Sequence, residues 1–128
     1  MKKITAKPLI GVGDVKFGMK RAEVRSLFGE ATEFKKSKLS KTTTDDFGFC
    51  HVFYNAKDEC EAIEIFNDIE VVINNTAVFP SGIEKLKRIC ADLVKDGDSY
   101  TSVDFSIGVY APDDKEESIL FAAQGYYE

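Results

Sequence analysis

Residues 45–79 read DDFGFCHVFYNAKDECEAIEIFNDIEVVINNTAVF, and this stretch decides the predicted fold. It contains four runs rich in aromatic and β-branched residues, which Asn, Asp and Lys residues separate. Such runs are typical of short antiparallel strands joined by turns. The pair Asn74-Asn75 tolerates the positive φ angles that a tight hairpin turn requires. We therefore expect an antiparallel meander, with its strands within residues 45–54, 60–66, 69–73 and 76–79.

Alternation within these runs predicts two different sheet faces. In the run 60–66, Ile63 and Ile65 point one way, while Glu64 and Phe66 point the other way. The run 69–73 alternates in the same manner. We expect the aliphatic face to be buried and the opposite face to mix acidic with apolar side chains. The run 49–54 is apolar on both faces and is expected to be a central strand.

Two helices are predicted, one on each side of this stretch in the sequence. The first covers about residues 20–28, and Gly29 stands where a helix C-cap is expected. The second opens with a Ser-x-x-Glu capping box formed by Ser81 and Glu84, and its apolar stripe continues to Val94. On the first helix the polar side chains are expected to face outward: Arg21, Glu23 and Arg25.

These elements predict a single two-layer α+β domain over residues 1–128. The expected order is β-α-β-β-β-β-α-β-β, with two helices packed on one face of the sheet. A last hairpin is predicted from residues 102–110 and 118–122. A chain of 128 residues is long enough to bury roughly two-thirds of its unfolded surface.

Composition indicates a folded cytoplasmic protein. Hydrophobic residues make up 44% of the chain, which excludes a disordered polymer. No apolar run reaches the ~20 residues that a membrane-spanning helix needs, and the first ten residues lack the apolar core of a signal peptide. The three cysteines form no close pair and are expected to be free thiols in a reducing compartment: Cys50, Cys60 and Cys90.

Charge is divided unevenly along the chain. Residues 1–42 hold eleven Lys and Arg against four Asp and Glu, a balance of +7. Residues 43–128 hold six Lys and Arg against eighteen Asp and Glu, a balance of −12. A field of one sign steers association with a partner of the opposite sign, although an acidic surface also serves solubility alone.

The residues give little support for catalysis, a metal or a cofactor. Cys50 and His51 are neighbours in a predicted strand and therefore point to opposite faces, so they cannot form a nucleophilic pair. His51 has no second metal ligand at a usable spacing. Acidic runs such as Asp45-Asp46 lie at strand ends and are expected to be solvated. The lysines of residues 35–41 lack the interleaved aromatic residues of a nucleic-acid site, so no nucleic acid is expected.

A binding surface has better support. Aromatic anchors ringed by acids are typical of a surface that binds a basic protein, and the second face of the sheet is expected to carry both. The alternative is that a loop of the chain merely covers these aromatic side chains. The predicted partner-binding residues are Tyr54, Glu64, Phe66, Glu70, Tyr110, Asp113 and Asp114.

Three segments carry a resemblance to a known class of proteins. Residues 17–29 read FGMKRAEVRSLFG, residues 108–112 read GVYAP and residues 125–127 read GYY. Together they resemble small immunity proteins encoded beside bacterial toxins, including those of contact-dependent inhibition systems. The order of helix and sheet is also similar to the β-lactamase-inhibitor-protein type of fold, in which helices cover one sheet face and the other binds an enzyme.

The resemblance implies a non-catalytic inhibitor that is monomeric when free and neutralises a cognate toxin in the cytoplasm. An acidic surface would suit a basic nuclease toxin by standing in for nucleic-acid phosphates. Two alternatives remain open on the residues alone. One is a small-ligand-binding or regulatory domain with a pocket between sheet and helices, and the other is a structural subunit of a larger assembly.

Overall fold

The computed structural model describes residues 2–128. Thirteen strands and two α-helices occupy this part of the chain. In chain order they are β1 (Lys2–Lys7), β2 (Gly11–Val12), β3 (Val15–Lys16), α1 (Arg21–Phe28), β4 (Thr32–Phe34), β5 (Thr44–Asp46), β6 (Cys50–Tyr54), β7 (Cys60–Phe66), β8 (Ile69–Ile73), β9 (Thr76–Phe79), α2 (Ile83–Ile89), β10 (Val94–Asp96), β11 (Ser99–Ser102), β12 (Ile107–Tyr110) and β13 (Ser118–Ala122).

The strands form two sheets. The larger sheet has eight strands in the order β10-β11-β12-β13-β7-β6-β5-β4, and all its pairings are antiparallel. The smaller sheet has five strands in the order β3-β2-β1-β8-β9, and β1 lies parallel to β8 within it. The predicted two-layer α+β class with two helices is confirmed.

The hydrophobic core lies between the larger sheet and a second layer made of the smaller sheet and the helices. Val24 of α1, Leu86 of α2 and Phe79 of β9 are all fully buried in it. Burying each such side chain contributes about 1.5–3 kcal/mol. The face of the larger sheet that enters this core is called the inner face, and its side chains include Cys50, Val52, Ile63, Ile65, Val109, Ile119 and Phe121.

The central runs of the sequence form strands close to their predicted bounds. The strands β7, β8 and β9 match the runs 60–66, 69–73 and 76–79. The first run is divided, because residues 44–46 form β5 and the exposed Gly48 lies in the turn before β6. Asn74 and Asn75 join β8 to β9 with φ angles of 48° and 66°, as a tight hairpin turn requires.

The prediction of one continuous meander is wrong at a single junction. The strands β7 and β8 lie in different sheets and do not pair. The reason is that β6 and β13 occupy both edges of β7, so that no edge is left for β8. Instead β8 pairs with β1 on one side and β9 on the other.

The arginines of α1 bind a side chain of the larger sheet and do not project freely outward as predicted, although the Arg25 side chain stays 37% exposed. Arg21 and Arg25 reach the carboxylate of Asp45 in β5, at 2.9 Å and 2.6 Å from its Oδ1 atom. The Tyr54 hydroxyl donates a hydrogen bond of 2.9 Å to Oδ2 of the same residue. Asp45 is therefore fully buried, and the expectation of a solvated acid there is wrong. A buried carboxylate needs paired charges and hydrogen bonds, which these three side chains supply.

The predicted capping box of α2 is absent. Ser81 has a φ angle of 64° and its side chain makes no capping hydrogen bond, while Gly82 occupies the N-cap position. Glu116 takes over the role, because its Oε1 atom accepts a hydrogen bond of 3.3 Å from the backbone N–H of Gly82. The cap thus comes from a residue 34 positions along the chain.

The second helix ends at Ile89 and not near Val94 as predicted. Beyond it, the carboxylate of Asp92 accepts hydrogen bonds from the Ser102 hydroxyl at 2.6 Å and the Asp104 backbone N–H at 2.9 Å. These bonds fasten the chain to the turn after β11, and Val94 then pairs with Thr101. Residues 103–106 form the turn between β11 and β12, so the strand expected from residue 102 begins only at residue 107.

Candidate partner-binding face

The outer face of the larger sheet lies opposite the core, and its composition is defined by cross-strand pairs. Directly paired residues of neighbouring strands point to the same face. One row of such pairs runs across five strands and consists of His51, Glu64, Leu120, Gly108 and Thr101. The adjacent row consists of Phe66, Ser118, Tyr110 and Ser99.

Three of the predicted binding residues lie together on this outer face. Glu64 and Phe66 belong to β7, two positions apart. Ser118 stands between Phe66 and Tyr110 in the cross-strand row, which brings the two aromatic side chains onto one surface. Tyr110 is 44% exposed and is one of the larger apolar side chains open to solvent.

Two of the predicted partner-binding residues, Tyr54 and Glu70, do not lie on the outer face. Tyr54 is only 3% exposed and faces the core, where its hydroxyl binds Asp45, so its placement on the outer face is wrong. The pKa of Tyr54 is raised, first by burial and then by the hydrogen bond to Asp45. Glu70 belongs to β8 of the smaller sheet and forms an ion pair of 3.6 Å with Lys3. Glu70 lies away from the outer face because β8 and β7 belong to different sheets, a separation that the sequence pattern did not predict.

Asp113 and Asp114 lie in the short 3-10 turn of residues 112–114, between β12 and β13. Both are exposed, and both adopt left-handed backbone angles, with φ values of 52° and 60°. Asp114 pairs with Lys95 at 3.1 Å, toward the α2 side of the domain. These two acids therefore lie beyond the end of the outer face and apart from Glu64.

His51 is a central member of the outer face, although it is not among the predicted partner-binding residues. Its ring lies 4.8 Å from the ring of Phe66 and 5.0 Å from that of Phe34, in edge-to-face arrangements. Its Nε2 atom is 3.6 Å from Oδ2 of Asp46, and its Nδ1 atom is 4.0 Å from Oε1 of Glu64. The residue could have been found from the register of β6 against β7, which pairs His51 with Glu64.

A groove of about 290 Å³ runs across the outer face beside Glu64. Oε2 of Glu64 accepts a hydrogen bond of 2.9 Å from the hydroxyl of Ser118, which fixes the carboxylate in place. The groove is lined by Glu64, Ser99, Thr101, Gly108, Val109, Tyr110, Ser118, Leu120 and Tyr127.

The last residues of the chain form one wall of this groove. The Tyr127 hydroxyl lies directly over Gly108, where a side chain would otherwise stand. Tyr126 packs on a small apolar cluster of the outer face that includes Phe53 and Ala62. Burial raises the pKa of Tyr127 to about 12, so its hydroxyl remains protonated at neutral pH.

The cysteines lie on the other side of the sheet. Cys50, Cys60 and Cys90 are free and buried in the core, away from the face that carries His51. Burial raises the pKa of Cys60 to about 12 and that of Cys90 to about 11, and it raises the pKa of Cys50 as well. At neutral pH these thiols are protonated, and the thiol is far less nucleophilic than the thiolate.

A second, more open concavity of about 480 Å³ lies between α1 and the segment before β5. Of the four charged side chains that line it, Arg21, Glu33 and Asp58 form ion pairs, and Lys41 forms none within residues 2–128. Arg21 forms an ion pair with Asp58 at 2.8 Å, and Glu33 accepts from Arg25 at 2.9 Å and from the Thr43 hydroxyl at 2.7 Å. These pairs leave less free hydrogen-bonding capacity for a partner than the groove beside Glu64 offers.

Two further findings concern the part of the chain that the structure describes. Within residues 2–128, no group of three or more His, Cys, Asp or Glu side chains is placed to hold a metal ion. Neither helix of these residues has the length and apolar character to cross a membrane.

The outer face offers carboxylates, hydroxyls and aromatic rings, a set that binds cationic and apolar groups through ion pairs, hydrogen bonds and ring contacts.

Comparison of the chain with protein-family models, with curated proteins and with solved structures gave no match.

Proposed function

We propose that this chain is a non-catalytic protein-binding inhibitor, an immunity protein that neutralises a cognate toxin through its outer face. The observation that carries the proposal is the grouping of the exposed Tyr110 with the half-buried Phe66 and Glu64 on a sheet face opposite the core. The resemblance of residues 17–29, 108–112 and 125–127 to immunity proteins supports the same class.

The charge of the outer face supports a basic partner. Asp46, Glu64 and Asp96 belong to cross-strand rows of this face. Lys36 lies at its margin, with the ammonium group 4.5 Å from the centre of the Phe53 ring. A basic surface complementary to these acids would be steered into register and would associate faster at low salt.

A nuclease toxin is the partner class that fits this charge best. Its substrate groove must be basic in order to bind the phosphates of a nucleic acid. Carboxylates that occupy such a groove would exclude the substrate without any chemical step. The proposed inhibitor acts in the cytoplasm, is monomeric when free and uses no cofactor or metal.

Aromatic side chains supply the apolar part of the proposed interface. Tyrosine is over-represented among residues that dominate binding energy, because it combines a large apolar ring with a hydroxyl. Tyr110 has this character and stands beside the groove, while Phe66 is half-buried against His51. Contacts at such anchors contribute most when surrounding residues exclude water from them.

The test is neutralisation and capture of a neighbouring gene product. The tagged chain is co-expressed with each protein encoded beside its gene, and growth and co-purification are measured. Recovery of one basic protein that is toxic when expressed alone, and harmless in the presence of the chain, is the expected result. If no neighbouring product is both toxic and captured, the immunity function is wrong.

Two charge reversals locate the binding surface. The side chains of Glu64 and Glu70 have nearly equal exposure, 28% and 29%, but they lie in different sheets. Glu64→Lys should lower toxin affinity about tenfold or more, whereas Glu70→Lys should leave it nearly unchanged. Retention of full affinity by Glu64→Lys would place the interface elsewhere on the molecule.

The small-ligand-binding alternative has weaker support. Four concave sites have volumes of about 210 to 480 Å³, and the largest is lined mainly by paired polar side chains. Pockets that enclose drug-sized ligands are predominantly apolar and about 300–1,000 Å³ in volume. A molecule that co-purifies with the chain in equal amount would reverse this preference.

A further inference from the structure

We infer that the groove beside Glu64 binds one arginine or lysine side chain of a partner protein, with the Glu64 carboxylate as its counter-charge. This inference rests on the proposed function and assigns a chemical group to one point of its interface. It commits to a single occupant, a basic side chain that enters between Tyr110 and the wall formed by Tyr127.

The size of the groove suits one side chain. Its volume of about 290 Å³ lies at the lower limit of the range found for pockets that enclose drug-sized ligands. One end is closed by Tyr127, whose hydroxyl lies over Gly108. A side chain at position 108 would collide with this hydroxyl, so the glycine is what allows Tyr127 to take its place at the end of the groove.

The free acceptor capacity of Glu64 specifies a donor. Ser118 donates to its Oε2 atom at 2.9 Å, but within residues 2–128 no hydrogen bond reaches Oε1. The nearest cationic candidate, Nδ1 of His51, lies 4.0 Å away from Oε1. A carboxylate accepts about four hydrogen bonds, so Glu64 can still receive an ammonium group or the fork of a guanidinium group.

The other lining residues favour a cation over an anion. No lysine or arginine lines the groove. Five hydroxyl groups border it, those of Ser99, Thr101, Tyr110, Ser118 and Tyr127. Hydroxyl oxygens can each accept a hydrogen bond from a cationic group, whereas an anion would face the Glu64 carboxylate at close range. The rings of Tyr110 and Tyr127 border the groove, and the face of an aromatic ring attracts ammonium and guanidinium groups.

The test uses capped tripeptides as probes and needs no toxin. Acetyl-glycyl-arginyl-glycinamide, its lysyl counterpart and its neutral citrullyl counterpart are titrated separately into the ¹⁵N-labelled chain. The two basic probes should shift and saturate the amide resonances of Gly108, Tyr110 and Leu120, with a dissociation constant of about 1 mM. The citrullyl probe should produce no saturable shift, and the relative affinities of the basic probes identify the preferred group.

A pair of isosteric variants provides the control. Glu64→Gln preserves an acceptor for Ser118 but removes the charge, and should weaken the basic probes about fivefold or more. Glu70→Gln removes an equally exposed charge from the smaller sheet and should leave the titration unchanged. Thermal denaturation of each variant establishes that it is folded.

Three results would overturn the inference: equal binding of the citrullyl probe, unchanged titration of Glu64→Gln, or no saturable shift at about 50 mM of the basic probes. Each concerns the groove alone, so the immunity function would still stand or fall on toxin neutralisation. Conversely, binding of the basic probes without any captured toxin would retain the groove and reject the immunity function.

Discussion

Arg25 of α1 binds the carboxylate of Asp45 in β5 in a bidentate manner, with Nη2 at 2.6 Å from Oδ1 and Nε at 2.9 Å from Oδ2. Arg21 and the Tyr54 hydroxyl donate the further hydrogen bonds that satisfy this carboxylate. The guanidinium group of Arg21 also lies 4.1 Å from the centre of the Tyr54 ring. Since an eight-residue helix is not stable alone, this charged cluster and the burial of Val24 hold α1 against the larger sheet.

Removal of the buried carboxylate should strongly destabilise the domain. Asp45→Ala leaves two arginines without their shared acceptor, and we expect a loss of about 3 kcal/mol in the free energy of unfolding. This value is at the lower end for a buried pair, because the Arg25 side chain is 37% exposed and retains Glu33. Urea denaturation measures it. Asp58→Asn removes the charge of an exposed partner of Arg21 and retains a side chain that tolerates the φ angle of 62° at this position, so it should cost less than about 1 kcal/mol. Equal losses would contradict the distinction.

The lowered pKa of Asp45 predicts that the free energy of unfolding depends on pH in the acid range. Burial acts to raise the pKa of Asp45, but the hydrogen bonds from Arg25 and Tyr54 and the charges of both arginines outweigh it, so the pKa is lowered. An acid whose pKa is lower in the folded state stabilises the fold above its unfolded pKa of about 3.9. That contribution is lost as the pH falls through the folded value. The stability difference between the wild type and Asp45→Asn should therefore be constant above about pH 5 and shrink below about pH 4. A constant difference down to pH 2.5 would exclude this role for Asp45.

Alternation and turn chemistry were sufficient to predict the central strands. Glu64 stands between two buried isoleucines of β7, Glu70 stands between Ile69 and Val71 of β8, and Asn74-Asn75 supplies the turn that β8 and β9 require. The outer-face position of Glu64 and Phe66 follows from the same alternation, because it depends on one strand only. Tyr110 stands two positions after Gly108 in β12 and lies on the outer face by the same alternation.

Relationships between distant segments were not predictable in this way. The partner strands of β8 are set by which edges of β7 remain free, and this depends on β13, more than forty residues later. The edge strand β10 has the sequence VKD, which carries no clear strand pattern. Asp45 looked like a solvated acid because its arginine partners precede it by 20 and 24 positions. The placement of His51 beside Glu64 required the register of two strands.

The N-terminal cap of α2 allows the contribution of the distant Glu116 to stability to be compared with that of the adjacent Ser81. Glu116→Ala removes the acceptor for the Gly82 N–H and a negative charge near the start of the helix, and should cost about 1 kcal/mol of stability. Glu116→Gln preserves an oxygen acceptor and should cost less. Ser81→Ala should change stability by less than about 0.5 kcal/mol, since this hydroxyl makes no capping bond. Chemical denaturation of the three variants measures these differences, and a larger effect at Ser81 would restore the local capping box.

The thiols should be unreactive in the folded protein. Cys50, Cys60 and Cys90 are no more than 1% exposed, and burial raises the pKa of each one. A thiol reagent such as Ellman's reagent at pH 8 should therefore react with three equivalents rapidly in denaturant and only slowly in buffer, at a rate set by opening of the fold. Rapid reaction of one equivalent without denaturant would show that one cysteine is accessible in the native state.

The position of Tyr127 over Gly108 connects the groove with the packing of residues 125–128. Gly108→Ala places a methyl group where the Tyr127 hydroxyl lies, and should lower stability by about 1–3 kcal/mol through overpacking. Tyr127→Ala removes the obstacle together with its own packing. If the two side chains compete for this space, the double variant should be more stable than the sum of the single losses predicts, with a coupling of about 0.5 kcal/mol or more. Thermal or urea denaturation of the four proteins completes the cycle. Strict additivity would mean that residues 125–128 leave the outer face in solution and that the groove beside Glu64 has no wall on that side.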